Sequence, residues 1–466
     1  MKNLKYPLLV MCASVVAGCA GPLDSYQDEP QYRSLQSKYA EHDRQVTESS
    51  HDLPDIQNDA IEDLDQLSVD DAIRIAIEHN PQLRATGYQI DAAAGRVMQS
   101  GLYPNPTVSL AGESIGADEG GGGESTVHIE QEVLLGGRLK HAKSIAISDR
   151  DAAGEEYIAN EFAIAAQTSN AYFHAVSAQE RLSMHQELVE LSTQLLDGIK
   201  ARVEAGSASE IDLLRGEVVF EQSRLGLDAA QFQAQASHEF FISMLGLDEP
   251  IDIPMSTSID ELPDLPLYED ILSSTLSANS RVSLARVAIE RARNEHQLAK
   301  ANSRPDLFVS VGPRYSDIDN ETTIDVGLSL EVPLFDRNQG AIDAALSERL
   351  SASAQLQSIQ IELASEVSAA WSVYQSALSA TKRYQNRVIP KAEQTLDLTR
   401  QAYQGGKADY LRLLDAHQIV IESRLAYLTT LEQLHSAAAL LNQLSQSNAS
   451  WRIARNDKQE NAEDNQ

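Results

Sequence analysis

Aromatic side chains make up only 5% of the 466 residues, and there are just two cysteines. No proline falls between Pro106 and Pro250, and nowhere do 18 apolar residues follow one another. Each shortage excludes something. So few aromatics, with Ala, Leu, Gln, Ser and Glu dominant, argue against a row of compact globules and for long helices in contact through small residues. The proline-free stretch can stay helical without interruption. Without a long apolar run there is no transmembrane helix, so any membrane crossing must be made of strands. Positive charge is scarce as well: 37 Lys and Arg against 69 Asp and Glu leave a net charge of −32. Such acidity repels nucleic acid and suits cationic cargo or a salty habitat. Catalytic and metal-binding patterns are also missing. The 11 histidines are scattered, with no His-x-x-x-His or cysteine pair at metal-ligand spacing. Met98, Met184, Met244 and Met255 form no local cluster, His417 and His435 read as packing or surface residues, and no nucleophile sits beside a base. Gly120 to Gly123 lack the following Lys-Ser or Lys-Thr of a phosphate cradle and read as a hairpin loop. The expectation is no enzyme, no resident metal and no bound cofactor.

The N-terminus carries an address. Lys2 and Lys5 precede a short apolar run, Leu8 to Val16, which closes on Val16-Ala17-Gly18-Cys19. That ending resembles a bacterial lipobox, so residues 1–18 are expected to be a signal peptide and the Cys19 thiol to receive a lipid. Removing Lys2 and Lys5 takes the charge from −32 to −34. Cys12 leaves with the leader, so no intrachain disulfide can form. Ala20 after the lipidated residue favours outer-membrane delivery, by resemblance to lipoproteins. Residues 19–66 are acidic and polar and read as a leash from the lipid. Residues 449–466 read as a disordered tail.

Between these ends the chain repeats itself at an offset of 199 residues. Asn80, Ile90, Ala93, Pro106, Val127, Glu132, Val133, Leu135 and Arg138 recur as Asn279, Ile289, Ala292, Pro305, Val326, Glu331, Val332, Leu334 and Arg337. Further on the offset becomes 200, so Gly206, Leu213 and Leu214 recur as Gly406, Leu413 and Leu414. The period is too long for a solenoid and describes a duplicated unit, residues 67–262 and 263–448.

In the first unit, Ser68-Val69-Asp70-Asp71 caps a helix, Asn80-Pro81 ends it, and a second helix runs to Ser100. Thr107 to Glu113 alternates, and a return strand places Val127, Ile129, Val133 and Leu135 on one face with His128, Glu130 and Glu132 on the other. A helix from Arg138 to Ala205 follows. After Gly206 another carries a stripe, Ile211, Leu214, Val218, Leu225, Ala229, Phe232, Ala236 and Phe240, at coiled-coil spacing. Gly206 is thus the tip of a long helical hairpin. The second unit predicts helices at 268–278 and 280–302, then strands at 305–313 and 322–334. Leu307, Val309 and Val311 should face Val326, Leu328, Leu330 and Val332. Long helices from Gln339 and from Ala408 to Ser445 complete it, with a kink at Val388–Lys391 forced by Pro390.

Several segments together resemble the TolC-like outer-membrane factors, heavy-metal cation efflux branch (CzcC/CusC-like). They are Asn80-Pro81-Gln82-Leu83, Tyr103-Pro104-Asn105-Pro106, Gln131 to Arg138, Pro333 to Gly340, Arg202 to Gly206 and Ala402 to Gly406. The resemblance covers 67–448 and implies a mainly α fold with a transmembrane β part. A homotrimer would form a 12-stranded barrel, four strands per chain, continuous with a periplasmic helical tunnel. Open strand edges are not tolerated in lipid, which independently asks for such closure. Lipid would meet the apolar faces, while His128, Glu130, Asp325 and Glu331 would face the lumen. The implied partners are a periplasmic adaptor, docking at the tips around Arg202, Gly206 and Gly406, and an inner-membrane RND pump. Tyr403, Asp409, Arg412 and Asp415 fall where the family places its periplasmic gate, with Asp212 in the first unit's counterpart. Arg412 departs from the acidic pattern, and an Arg412 ring beside an Asp415 ring would hold the mouth shut. The implied function is the exit duct of a metal-cation efflux system. The competing readings are the same duct serving organic compounds and a pore-less lipid-anchored adaptor or scaffold.

Overall fold

A computed structural model describes residues 66–113, 123–247, 254–256, 258–316, 319–408 and 410–446. The leader, Cys19, the leash up to residue 65, Gly120 to Gly122, Asp409 and the tail from 449 lie outside the described residues.

Helix α1 (Val69–His79) begins where the Ser68 hydroxyl accepts the Asp71 amide, with Asp70 and Asp71 in the favourable first turn. Helix α2 (Pro81–Ser100) starts on the Asn80 side chain, which caps Gln82 and Leu83, with proline at its first position. Strands β1 (Thr107–Glu113) and β2 (Glu124–Val133) form the first hairpin. Helix α3 (Arg138–Glu204) has 67 residues, about 100 Å at the α-helical rise. Helix α4 (Glu210–Met244) returns along it, opened by a capping box between Ser209 and Asp212. The second unit repeats the order: α5 (Tyr268–Ala278), α6 (Ser280–Ala301), β3 (Leu307–Ser316), β4 (Glu321–Leu330), α7 (Gln339–Arg383), a π turn (Tyr384–Val388), α8 (Ile389–Gln404) and α9 (Tyr410–Ser445). Asn279 caps α6 through the Arg281 amide as Asn80 caps α2, and its amide also donates to the Leu444 carbonyl at the end of α9.

Three apolar clusters hold the helices. The first joins α1, the middle of α3 (Phe162, Tyr172, Phe173), the end of α4 (Phe241, Leu245) and α9 (Tyr427, Leu428, Leu431). Leu67 is stapled into it: its amide donates to Pro254, its carbonyl accepts from Ser256, and Tyr172 donates to that same carbonyl. The second joins α5 and α6 to Leu363, Val367 and Tyr374 of α7 and Leu434 and Leu441 of α9. The third sits at the tips, where Leu195 and Ile199 meet Tyr410, Leu413 and Leu414.

Three expectations need correction. The strands are displaced: β2 stops at Val133, β3 runs from Leu307 to Ser316 and not 305–313, and β4 ends at Leu330, before Glu331 and Pro333. Pro313 does not stop β3, because the strand continues to pair with β4 through and beyond it. The interruption near Pro390 is a π turn upstream, at Tyr384–Val388, where the extra width accommodates the proline ring. The stripe on α4 is not the hairpin seam. Gly216, Ser223, Ala230, Ala234, Ser237 and Phe241 are buried instead, while Ile211, Leu214, Val218, Leu225, Phe232 and Phe240 stay exposed. Small residues let α3 and α4 approach closely, and, Phe241 apart, α4 turns the large side chains of this stripe away from its own chain.

Candidate functional site: a two-faced sheet and its helical tips

The four strands form one antiparallel sheet in the order β1-β2-β3-β4. Register sorts their side chains by face. Val108 lies opposite Ile129 and Leu110 opposite Val127. Ile129 continues to Val311 and Val133 to Leu307. Leu307, Val309, Val311 and Pro313 then face Leu330, Leu328, Val326 and Ile324. Leu110 is 79% exposed and Val326 and Leu328 are each 72% exposed. An apolar face of this size must be covered by lipid or another protein. Gln131 interrupts it, and its side chain donates to the Pro104 carbonyl, three residues before β1.

The other face carries Ser109, His128, Glu130, Ser310, Arg314, Thr323 and Asp325, alternating with the apolar set. The expected polar placement of His128, Glu130 and Asp325 holds, whereas Glu331 lies beyond the end of β4. Arg314 reaches Asp325 at 2.7 Å and Glu124 at 3.3 Å, tying three strands together. It does so beside a lapse in the β2–β3 ladder, between the pairs Thr126–Arg314 and Ile129–Val311. Pro313 has no amide to donate there. At Gly312 a Cβ would lie 1.7 Å from the Val127 carbonyl oxygen, so only glycine permits the approach.

Where sheet becomes helix, the two units are bolted together. Arg138 donates to Asn302 at 2.8 Å and forms an ion pair with Asp306, whose other oxygen accepts the Leu135 amide. Gly136, at φ +75°, makes the turn against Arg304 and Ala301. Sequence reading singled out Arg138 as a motif residue and missed Asp306; the partners are separated by 168 positions, and no local pattern links them.

At the far ends of the helices the two tips share one geometry. Gly206 (φ +70°) donates to Val203, and Ser207 to Arg202. Gly406 (φ +71°) donates to Tyr403, and Lys407 to Ala402. Each is a Schellman ending, which a left-handed glycine makes without steric cost. Arg202 is exposed at its tip. Tyr403 is half-buried and packs into the tip cluster, beside Tyr410, whose burial raises its phenol to about 12. Arg412 and Asp415 are exposed on the first turns of α9, three residues apart. Asp212 spends its carboxylate on the Ser209 amide and hydroxyl, bonds that lower its pKa. Within one chain, then, Arg412 and Asp415 share an exposed face, Tyr403 belongs to the tip core, and Asp212 is a helix cap.

His435 and His417 behave as packing residues. His435 stacks on Phe173 at 3.7 Å and shares a hydrogen bond with the Ile259 carbonyl; burial lowers its pKa. His417 is half-buried on α9, and burial lowers its pKa too. Met184, Met244 and Met255 pack on the first apolar cluster. Among the described residues, no group of three or more His, Cys, Asp or Glu could hold a metal ion, and no helix is long and apolar enough to cross a membrane.

Comparison with known proteins adds four findings. The family described as Outer membrane efflux protein matches the chain twice, over residues 72–247 and 271–446, one match per unit. The cobalt-zinc-cadmium resistance protein CzcC of Cupriavidus metallidurans is 24% identical over 378 residues, 81% of this chain and 90% of that protein. The toluene efflux pump outer membrane protein TtgF of Pseudomonas putida is 27% identical, over 46% of this chain and 50% of its own. Among solved structures, CusC superposes with a TM-score of 0.70 at 18% identity, over 81% of this chain and 91% of the other, and so shares the fold.

Proposed function

Because this chain belongs to the outer membrane efflux protein family, we propose that heavy-metal cations are the cargo of this outer-membrane channel. The observation that carries the channel is the sheet: four strands, apolar on one side and polar on the other, with β1 and β4 as open edges. Neither edge can remain open in lipid. Three copies close the sheet into twelve strands, the even count of single-chain bacterial barrels. Helix α4, which packs principally on α3, then lays its large exposed stripe against the next copy. The same apolar sheet face speaks against a pore-less scaffold.

The rest of the proposed assembly extends this reading by the family resemblance. A lipid on Cys19 anchors the leash. A periplasmic adaptor docks on the tips at Arg202, Gly206 and Gly406, beneath an inner-membrane RND pump. Across the three-fold axis, Arg412 and Asp415 form neighbouring rings of opposite sign that close the resting mouth. For cargo, the support is the match over 90% of a cobalt-zinc-cadmium resistance protein and an acidic chain that focuses cations. The partial match to a toluene efflux protein keeps organic cargo as the second reading. Deleting the gene and measuring growth on zinc, cobalt, cadmium, copper and silver salts, beside dyes and antibiotics, separates the two. Sensitisation to metal salts alone is expected; sensitisation to the organic panel alone overturns the cation reading.

A further inference from the structure

The change in repeat offset from 199 to 200 can be located in the structure. Buried positions of α3 and α7 correspond at 199: Ile164 with Leu363, Thr168 with Val367, Ala171 with Ala370, Ala175 with Tyr374 and Ala178 with Ala377. Toward the tips the correspondence is at 200. Buried Ser192 matches buried Ala392, and Leu196, Ile199 and Val203 match the partly covered Leu396, Thr399 and Tyr403. The second unit has therefore gained one residue between Ala377 and Ala392. The π turn, Tyr384–Val388, lies in that interval, and the Ile389 amide bonds the Tyr384 carbonyl five residues back. A π turn takes one residue more than an α turn. Beyond it the inward row Ser192, Leu196, Ile199 and Val203 keeps its phase in the second unit, although buried Leu195 matches exposed Thr395.

We propose that Tyr384–Val388, with Pro390, is an absorbed one-residue insertion that serves as a joint in the second hairpin, where the first hairpin is a rigid rod. Helix α3 passes the same level unbroken, with Glu190 where the second unit has Pro390. The turn buries none of its five residues. It separates a part of the helix fixed in the second apolar cluster (Tyr374, Ala377) from a part fixed in the tip cluster (Leu396, Tyr403), and of the turn itself only Tyr384, with the adjoining Ile389, packs on the first apolar cluster. Pro390 cannot bond to the turn before it, so the ladder there has neither α spacing nor its full set of bonds. Past the joint, the tip cluster packs Leu396 and Tyr403 of α8 on Tyr410, Leu413 and Leu414 of α9, and the exposed ion pair of Arg424 with Glu393 at 2.7 Å adds a polar tie. Movement of the tip during transport needs such a break on one hairpin, and in this respect the inference rests on the proposed channel function.

The test removes the joint without changing the phase of the tip. Deleting exposed Gln385 together with Pro390→Ala leaves a continuous α-helix in the first unit's register. The variant is expected to assemble and melt at or above the parent's temperature. A cysteine at exposed Leu398 should still react with maleimide faster than one at partly buried Leu396, judged against the chain without the added cysteine. Metal resistance in the gene-deleted strain should fall to that of the empty vector. Deleting Gln357 within α7 is the control; it shifts Leu363 and Val367 out of the core and should abolish assembly. A reversed labelling order in the double variant would overturn the absorbed insertion. Full metal resistance with the joint removed would overturn its role in transport. If the parent chain itself confers no resistance to any salt, the cargo reading fails, and the melting and labelling results still decide the insertion.

Discussion

A methyl group at position 312 would sit 1.7 Å from the Val127 carbonyl oxygen, whereas one at position 340 would meet nothing within 4 Å. Gly312→Ala should therefore abolish the folded sheet, and Gly340→Ala should be silent; the yield of heat-modifiable protein on denaturing gels distinguishes them. At the tips, Gly406→Ala forces a left-handed alanine, a cost of about 1–2 kcal/mol, read as a lower melting temperature for the tip. Histidines make the fold acid-sensitive. His435 and His417 have lowered pKa values, so the unfolded chain binds their protons first. Stability contributed by the neutral rings is intact above about pH 6.5 and is lost as pH falls toward the folded values. His435→Phe, which keeps the stack on Phe173, should weaken the dependence of melting temperature on pH in that window; an unchanged slope would exclude His435 as a source. The gate residues are tested by Asp415→Asn, which leaves the proposed Arg412 ring without its counter-charge. Larger resting conductance is expected, and unchanged conductance and closure would remove Asp415 from the gate. At this scale the sequence made the Ser68 cap legible, because it acts within three positions of itself, whereas Asn80 and its repeat Asn279 read as a helix break and cap the following helices in the structure. It could not reveal Asp306 or the cap role of Asp212, since one needs the fold and the other competes with a plausible gate role.

Elements were legible in proportion to their periodicity. Period-2 alternation put Leu307, Val309 and Val311 opposite Leu330, Leu328 and Val326, as expected from the faces alone. Strand ends were less legible, because Pro313 looks like a stop and becomes a paired residue opposite Ile324. The stripe on α4 misled for a physical reason. Coiled-coil spacing reports that a face is apolar, not which neighbour covers it, and in α4 the intrachain seam is made of Gly, Ser and Ala until Phe241 near its end. A charge on the sheet's apolar face tests the lipid assignment: Leu328→Arg should cost about 2–4 kcal/mol if that side meets the bilayer interior. The loss should appear as a lower yield of membrane-assembled protein. Ser329→Arg, on the alternate face, should be accepted.

Duplication governs the whole molecule. Within one chain, unit one contacts unit two along β2 and β3, where Gln131 pairs with Val309. Carrying that pair forward by the repeat offset of 199 residues places Leu330 of one copy opposite Leu110 of the next, apolar against apolar on the same face. Trimer closure by this seam and by the α4 stripe is the claim on which channel, gate and joint all depend. Cysteines at Leu330 and Leu110 test it most directly, with Leu330 and Val108 as the neighbouring register. The account predicts oxidative crosslinking in intact cells to a ladder that stops at three chains. Protein that stays monomeric with both pairs, or a ladder that runs past three, would contradict it.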